Sequence, residues 1–306
     1  MTISRRKFIG TTAAATLGLT LGASELFAKS KFPPIGIQTY TVPFLLGGYT
    51  GTDKSLDVKA GLKKLADIGI KELETVGGLN GLFHGYKPKE FSMMAKDAGM
   101  KWVSHHSLGI MGKDMMARMS GGADASAVRM LSTNLQAVVD DCAEGGAAYV
   151  ICASSAVTTL DEIKQTTELF NKAGEACKKA GLQFGYHNHQ SEFTAVEGVT
   201  AYEYIMKNTD KEKVIMELDL AWTTAAGKDP VAMFKEHPGR FPLWHVKDLD
   251  KETKRPCPVG KGIVDFKHAF DNSKLSGLKH FFIEQDGAKV IEDPASSVAY
   301  LNSNIL

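Results

Sequence analysis

Two stretches, Leu182–His187 (LQFGYH) and Lys213–Asp219 (KVIMELD), set the pattern on which the fold prediction depends. Each is a short apolar run of strand type that ends in an ionisable residue, and a segment of helical periodicity separates them. Six further runs of this kind begin near Ile35, Lys71, Lys101, Ala148, Leu243 and His280. Successive starts lie 30 to 47 residues apart, enough for a strand and a crossover helix. Eight such units predict a single-domain α/β fold, the (β/α)8 TIM barrel.

The composition is that of an ordinary globular protein. The 306 residues include 36 Lys and Arg, 35 Asp and Glu, and 43% hydrophobic residues, for a net charge of +1. The balanced charge excludes the broad basic surface that nucleic-acid binding requires. We therefore expect a small-molecule ligand, and the sequence leaves the oligomeric state open.

The first residues resemble a twin-arginine export signal. Ser4-Arg5-Arg6-Lys7-Phe8 precedes a short, charge-free, weakly apolar stretch that ends near Ala28. Cleavage there would leave residues 29–306 as the barrel with a net charge of −1, in the periplasm and without a stable membrane anchor. An uncleaved N-terminal anchor is the alternative. Export by this route is often associated with a bound cofactor, which makes a metal worth seeking.

The four cysteines, Cys142, Cys152, Cys177 and Cys257, form no Cys-x-x-Cys pair. Their spacing is typical neither of a disulfide framework nor of a zinc knuckle, and two of them lie in helix-like segments. We expect four free thiols.

The predicted strands end in an unusual concentration of acids and imidazoles. In a TIM barrel the carboxyl ends of all strands meet at one mouth, where the active site lies. A strand interior would normally be filled by Val, Ile and Leu, so this convergence favours a metal or acid/base site. The residues concerned are Gln38, Glu74, His105, His187, His189, Asp219, His245, Lys247 and Glu284.

Four motifs carry a family resemblance: Tyr186–Phe193 (YHNHQSEF), Glu217–Asp219 (ELD), His245–Asp248 (HVKD) and Ile283–Asp286 (IEQD). They resemble the sugar phosphate isomerase/epimerase family of xylose isomerase-like TIM barrels, in the family's order along the chain. The similarity runs from about Ile35 to Leu301. The family includes sugar isomerases and epimerases, inosose dehydratases, lyases acting on oxidised glycosides, and endonuclease IV.

The resemblance implies a divalent metal, Mn, Co, Zn or Mg, held by residues on strands five to eight. Asp219, His245 and Glu284 match three of the family's ligands. On strand five, where many relatives have an acid, this chain has His187, so either His187 or a returning Glu192 completes the shell. The family's two-glutamate acid/base mechanism is therefore in question. We assign Glu217 a structural role, because it lies one layer deeper in the barrel than Asp219.

The remaining roles follow from the same resemblance. The candidates for acid/base catalysis are Glu284, Glu192 and His187. We expect the substrate to be contacted by Gln38, Glu74, His105, His189, Trp222 and Lys247.

Three functions remain open. A metal-dependent sugar or keto-sugar isomerase or epimerase acting through an enediolate leads narrowly over a lyase or hydratase acting on 3-keto-glycosides. The third is an exported carbohydrate-binding protein without turnover.

Gly109 to Ala127, a Met-rich insertion after strand three, is either a lid or an ordinary rim helix.

Overall fold

The computed structural model describes residues 31–49, 51–77, 79–112 and 125–306. Eight parallel strands close into a barrel in the order β1-β8-β7-β6-β5-β4-β3-β2. The strands are β1 (Ile35–Gln38), β2 (Glu72–Val76), β3 (Lys101–Leu108), β4 (Tyr149–Ser154), β5 (Gln183–His187), β6 (Val214–Asp219), β7 (Leu243–Val246) and β8 (His280–Ile283). Each begins within one residue of its predicted start, so the predicted (β/α)8 TIM barrel is confirmed.

Helices follow the strands and surround the barrel. They are α1 (Val58–Asp67), α2 (Pro88–Asp97), α3 (Leu131–Gly145), α4 (Leu160–Lys179), α5 (Ala201–Asn208), α6 (Leu220–Ala225), α7 (Pro230–Glu236), α8 (Phe266–Asp271), α9 (Ser273–Ser276) and α10 (Glu292–Asn304). Short 3-10 turns cover Thr39–Thr41, Ala125–Ala127 and Ser191–Phe193. Two small antiparallel ribbons pair Ala195–Val196 with Val199–Thr200 and Asp248–Leu249 with Pro256–Cys257.

Local capping explains where several helices begin. Thr159 and Glu162 form a capping box at the start of α4, and the Asp229 side chain accepts from the Val231 N–H ahead of Pro230 at the start of α7. These caps satisfy N–H groups that lack partners within the helix. The first cap fixes the end of the loop after β4, and the second ends the short connection between α6 and α7.

Apolar side chains fill the lower part of the barrel. Val103, Tyr149, Ile151, Leu243 and Phe282 form one buried cluster. The pairing of β2 with β3 is irregular just above it: Leu73 pairs with Trp102, whereas Glu74 pairs with Ser104. This bulge shifts by one residue the alternation of β3 side chains between the inside and the outside of the barrel. It therefore decides whether His105 or His106 faces the barrel interior.

Some predictions fall on residues outside the described part. These are the export signal, residues 1–28, and residues 113–124 of the insertion after β3. The four cysteines are free thiols, as predicted, and Cys142 and Cys177 lie in α3 and α4. Among the described residues, no helix combines the length and the apolar character needed to span a bilayer.

Candidate metal centre and active site

Four side chains at the ends of β5 to β8 form a group that we call the outer ligand group: His187, Asp219, His245 and Glu284. One ligand atom from each residue lies within 4.8 Å of those of the other three, and all four residues are buried. Because neighbouring parallel strands end at the same mouth, they deliver one group each to a common point. The structure thus brings together the four residues predicted as metal ligands.

Asp219 shows how the chain prepares one of these groups. It ends β6 and begins α6, where its Oδ1 accepts from the Trp222 N–H at 2.8 Å, while its own N–H donates to Asn188 Oδ1 at 3.1 Å. The other oxygen, Oδ2, is buried without a hydrogen-bond partner. Burial raises the pKa of Asp219 to about 6. An orphaned buried carboxylate oxygen is costly unless something binds it.

His187 presents a second atom that makes no hydrogen bond. This atom is its buried Nδ1, which lies 3.3 Å from Glu217 Oε2. Burial, and then the neighbouring His245 and His106, hold the pKa of His187 well below its usual value, so the ring is neutral. Neutral imidazole is the form that binds metals. Two carboxylates and two imidazoles, with one buried carboxylate oxygen left unpartnered, fit a divalent transition metal.

Lys247 supplies positive charge beside this group. Its Nζ lies 2.9 Å from Glu284 Oε2, also pairs with Asp286, and stands 4.9 Å from the centroid of the Trp222 ring. Burial opposes its charge, but Glu284 and Asp219 outweigh this and raise the pKa of Lys247. The charged ammonium therefore balances part of the negative charge of the outer ligand group.

A second layer of charged groups lies next to the outer ligand group and includes Glu74, His106 and Glu217. His106 Nε2 is 2.7 Å from Glu217 Oε2 and 3.1 Å from Glu74 Oε1, and His245 Nε2 is 2.6 Å from Glu74 Oε1. Gln38 Nε2 and Ser104 Oγ donate to the two Glu74 oxygens at 3.0 and 2.6 Å. Gln38 and Glu74 were predicted to contact the substrate, but both are fully buried and pair with each other.

Burial and mutual contact shift the pKa values of these groups in opposite directions. Burial, followed by the charge of Glu74, raises the pKa of Glu217 to about 7. Burial opposes the charge on His106, yet Glu74 and Glu217 raise its pKa to about 9. Burial likewise opposes the charge on Glu74, but His106 and His245 hold its pKa well below the usual range. The layer therefore contains an ionised Glu74 beside an imidazolium at His106.

Sequence reasoning placed Glu217 one layer deeper than Asp219 but did not select His106. His106, His187, Glu217 and His245 form a second group whose ligand atoms lie within 4.8 Å of one another, which we call the inner ligand group. Glu217 was assigned only a structural role, and His105 was chosen over its neighbour His106. The adjacent histidines alone do not show which one faces the barrel interior.

Two predicted residues lie elsewhere. His105 packs at the edge of the Phe83 ring and bonds through Nδ1 to Thr75 Oγ1 at 2.9 Å, so it does not line the cavity described below. Glu192 accepts from Tyr186 OH at 3.0 Å and from Ser191 Oγ at 2.8 Å. Neither ligand group found among the described residues contains Glu192. His187, and not a returning Glu192, therefore occupies the strand-five position of the outer ligand group.

A cavity of about 560 Å³ opens above the outer ligand group. Its polar wall is formed by His106, His187, His189, Lys247, Glu284 and Asp286. Its apolar wall comes from the ends of β1 to β3 and the loops after them, and is formed by Tyr40, Tyr49, Val76, Leu79, Leu108 and Val128. A volume of this size lies in the range typical of small-molecule sites, about 300–1,000 Å³. Trp222 and His189 line a neighbouring cavity of about 400 Å³.

Fold and site together define a TIM barrel with an enzyme-like mouth. The chain belongs to the xylose isomerase-like TIM barrel family, whose model matches residues 62–295. A solved sugar phosphate isomerase/epimerase from Parabacteroides distasonis superposes with a TM-score of 0.70 at 28% identity, covering 91% of this chain and 96% of that one. The IOLI protein, solved with a bound zinc atom, shares the fold at a TM-score of 0.61 and 13% identity, covering 88% of this chain and 96% of that one.

Among curated proteins, similarity extends to inosose dehydratases. The protein from Lacticaseibacillus casei is 27% identical over 151 residues, which cover 43% of this chain and 50% of that protein. An inosose dehydratase from Clostridium perfringens is 29% identical over 152 residues, again with 43% and 50% coverage. The match therefore spans about half the length of these curated relatives. The relatives include both isomerase/epimerases and lyases.

Proposed function

We propose that this protein is a divalent-metal-dependent enzyme that removes a carbon-bound proton beside a carbonyl of a sugar or keto-sugar. The observation that carries the proposal is the outer ligand group, with its unpartnered Asp219 Oδ2, beside a cavity. His187, Asp219, His245 and Glu284 would hold the ion. Bound there, a divalent ion supplies Lewis-acid stabilisation of the negative charge that develops on adjacent substrate oxygens.

The chain's own residues supply the remaining functions. Lys247 lies in the polar wall and offers a positive charge to substrate oxygens. His189 also lines the cavity, belongs to neither ligand group, and places Nδ1 3.7 Å from Glu192 Oε1. Burial opposes ionisation of Glu192, but contacts with His189 and Ser191 lower its pKa to about 2. We assign proton removal to His189, supported by the charge of Glu192.

Elimination is the outcome that the cavity favours. Epimerisation by two carboxylates requires both at the substrate, and Glu192 is instead held by Tyr186 and Ser191. The apolar wall offers room for a leaving group beyond the sugar ring. The inosose dehydratases among the relatives are lyases by name. We therefore favour a lyase that expels the substituent β to the carbonyl, such as the aglycone of a 3-keto-glycoside.

An isomerase or epimerase is the second candidate. It is supported by the Parabacteroides distasonis structure, which this chain matches over nearly its full length. Return of the proton to the same intermediate, instead of loss of the substituent, would give this reaction. The third possibility, a binding protein without turnover, retains the barrel and the ligands but gives no product.

A chromogenic substrate separates these functions. The metal-loaded protein is incubated with 3-keto-p-nitrophenyl glucoside in D2O, and p-nitrophenolate and deuterium in the recovered sugar are measured. We expect p-nitrophenolate release, reduced at least about 100-fold in His189→Gln. The control is His237→Gln, because His237 is half-buried, belongs to neither ligand group and has a similar 3.7 Å contact with Glu236. Deuterium uptake without release would contradict elimination and favour the isomerase, whereas neither product would favour the binding protein.

We also propose that residues 1–28 direct export to the periplasm, on the strength of the Arg5-Arg6 motif and the short apolar stretch after it. The test is cell fractionation of the full chain and its Arg5→Lys/Arg6→Lys double variant. Periplasmic wild type and cytoplasmic variant are expected, and cytoplasmic location of both would contradict export.

A further inference from the structure

Glu74 is held from several directions in the centre of the barrel. Its side chain is fully buried on β2, and its Oε2 accepts from Ser104 Oγ at 2.6 Å. Its Oε1 accepts from Gln38 Nε2 at 3.0 Å and lies 2.6 Å from His245 Nε2. Since Gln38 and Ser104 act as donors here, both Glu74 oxygens serve as acceptors. The carboxylate is thus fixed in position before any ligand arrives.

His245 divides its two ring nitrogens between two carboxylates. Nδ1 lies 3.0 Å from Glu284 Oε2, which belongs to the outer ligand group, and Nε2 faces Glu74. An imidazole that binds a metal through one nitrogen commonly donates its other N–H to a carboxylate. Both nitrogens face carboxylate oxygens at hydrogen-bond distance, so each carries a hydrogen in the protein without metal. An ion bound in the outer ligand group would take the place of the Nδ1 hydrogen, while the Nε2 hydrogen stays donated to Glu74, as a metal ligand requires.

We propose that Glu74 is a positioning residue that fixes the tautomer and ring orientation of His245 for metal binding by the outer ligand group. The inference rests on the proposed function, because it presupposes that the outer group binds a metal. It assigns Glu74 a role that differs from the substrate contact expected from the sequence. Carboxylates that orient a ligating histidine typically account for about 10–100-fold of metal affinity.

A metal ion in the inner ligand group would compete with Glu74 for His245 Nε2. If an ion were bound by His106, His187, Glu217 and His245, then His245 Nε2 would face that ion instead of donating to Glu74. The two arrangements differ in their dependence on Glu217. An ion in the outer group leaves Glu217 outside the shell, whereas an inner ion, alone or in addition to an outer one, depends on Glu217.

The experiment compares two glutamates of the same strand. Glu74→Gln keeps the shape of the side chain but leaves one oxygen where two accept hydrogen bonds. Glu72→Gln is the matched control, because Glu72 also pairs with a histidine, with Oε2 2.7 Å from His280 Nδ1. Glu72 lies at the start of β2, two residues before Glu74, and belongs to neither ligand group. The metal-free proteins are titrated with Co²⁺ against a chelating dye, and the visible cobalt spectrum and thermal midpoint without metal are recorded.

We expect one equivalent of Co²⁺ in all three proteins. Its affinity should fall about 10–100-fold in Glu74→Gln, with an altered cobalt spectrum, and stay unchanged in Glu72→Gln. A thermal midpoint lowered equally in both variants, with cobalt affinity unchanged, would overturn the positioning role and leave the metal site intact. Loss of one equivalent in Glu217→Gln, whether the wild type binds one or two, would overturn it in favour of an inner ion. No cobalt binding by the wild type would overturn the proposed function as well.

Discussion

Removal of the Lys247 charge should strongly destabilise the metal-free protein. Lys247 is 2% exposed and contacts Glu284 and Asp286, with Asp219 close enough to affect its pKa. Lys247→Met would remove the ammonium that these carboxylates share and leave Glu284 with its 3.0 Å contact to His245 Nδ1. Breaking a buried ion pair from one side costs about 3–5 kcal/mol, because the remaining charge stays buried and unpaired. We expect the free energy of unfolding to fall by about that amount.

Metal should partly reverse this loss. A divalent cation in the outer ligand group would neutralise the same carboxylates, and a ligand at a hundredfold excess over its Kd stabilises the folded state by about 2.7 kcal/mol. Without Lys247 nearby, the cation would also meet less repulsion. We therefore expect added Co²⁺ to stabilise Lys247→Met more than the wild type.

Urea unfolding with EDTA and with Co²⁺ measures both effects. Lys267→Met is the control, because the Lys267 side chain is 73% exposed and pairs with Asp271 one helical turn away. Exposed pairs of this kind contribute little, so its stability should be close to wild type in both conditions. A Lys247→Met protein as stable as Lys267→Met in EDTA would refute the reasoning, as would equal stabilisation of all three proteins by Co²⁺.

Three further predictions concern other parts of the molecule. Burial lowers the pKa of His84 from 6.5 to about 4, so as the pH falls the unfolded chain takes up this proton before the folded protein does. The contribution of His84 to the free energy of unfolding is therefore complete above pH 6.5 and falls by about 3 kcal/mol by pH 4. Urea unfolding across this range should show a smaller pH dependence in His84→Gln. Gly61→Ala should cost about 1–3 kcal/mol in urea unfolding, because the new Cβ would clash with the Leu45 carbonyl oxygen; unchanged stability would contradict the packing of α1. Tyr49→Ala should raise KM for 3-keto-p-nitrophenyl glucoside about three- to tenfold with kcat unchanged, because its ring lines the apolar wall; steady-state kinetics with unchanged KM would place the aglycone elsewhere.

The barrel could be predicted from sequence because its signals are local. Each strand is a short apolar run ending in polar residues, as in Lys213–Asp219, and each crossover is long enough for a helix. Ligands that end a strand, such as Asp219, could be found in the same way. The barrel mouth gathers strand ends whatever the details of packing.

The inner layer could not be predicted because it depends on register between strands. Trp102 packs against Phe83 and Phe91, outside the barrel. If side chains alternated strictly along β3 from Trp102 onward, His105 would face the barrel interior. The bulge opposite Leu73 and Glu74 reverses this, so His106 meets Glu217 from across the barrel. A bulge leaves no clear mark in the sequence of β3.

The role of Glu192 could not be read from sequence either. Its position four residues beyond Asn188 allowed it to return to the metal shell. In the structure a 3-10 turn, Ser191–Phe193, directs it to the Tyr186 hydroxyl on the outer side of β5. Only the path of the loop distinguishes these two outcomes.

Metal content tests the central claim most directly. Elemental analysis is made of the purified protein after reconstitution with Mn²⁺, Co²⁺ or Zn²⁺, beside Asp219→Ala and His245→Ala, with folding of each checked by circular dichroism. The account predicts about one equivalent of metal in the wild type and little in either variant. A folded wild type that retains no metal after reconstitution, or variants that retain as much as the wild type, would contradict the assignment of His187, Asp219, His245 and Glu284 as the metal centre.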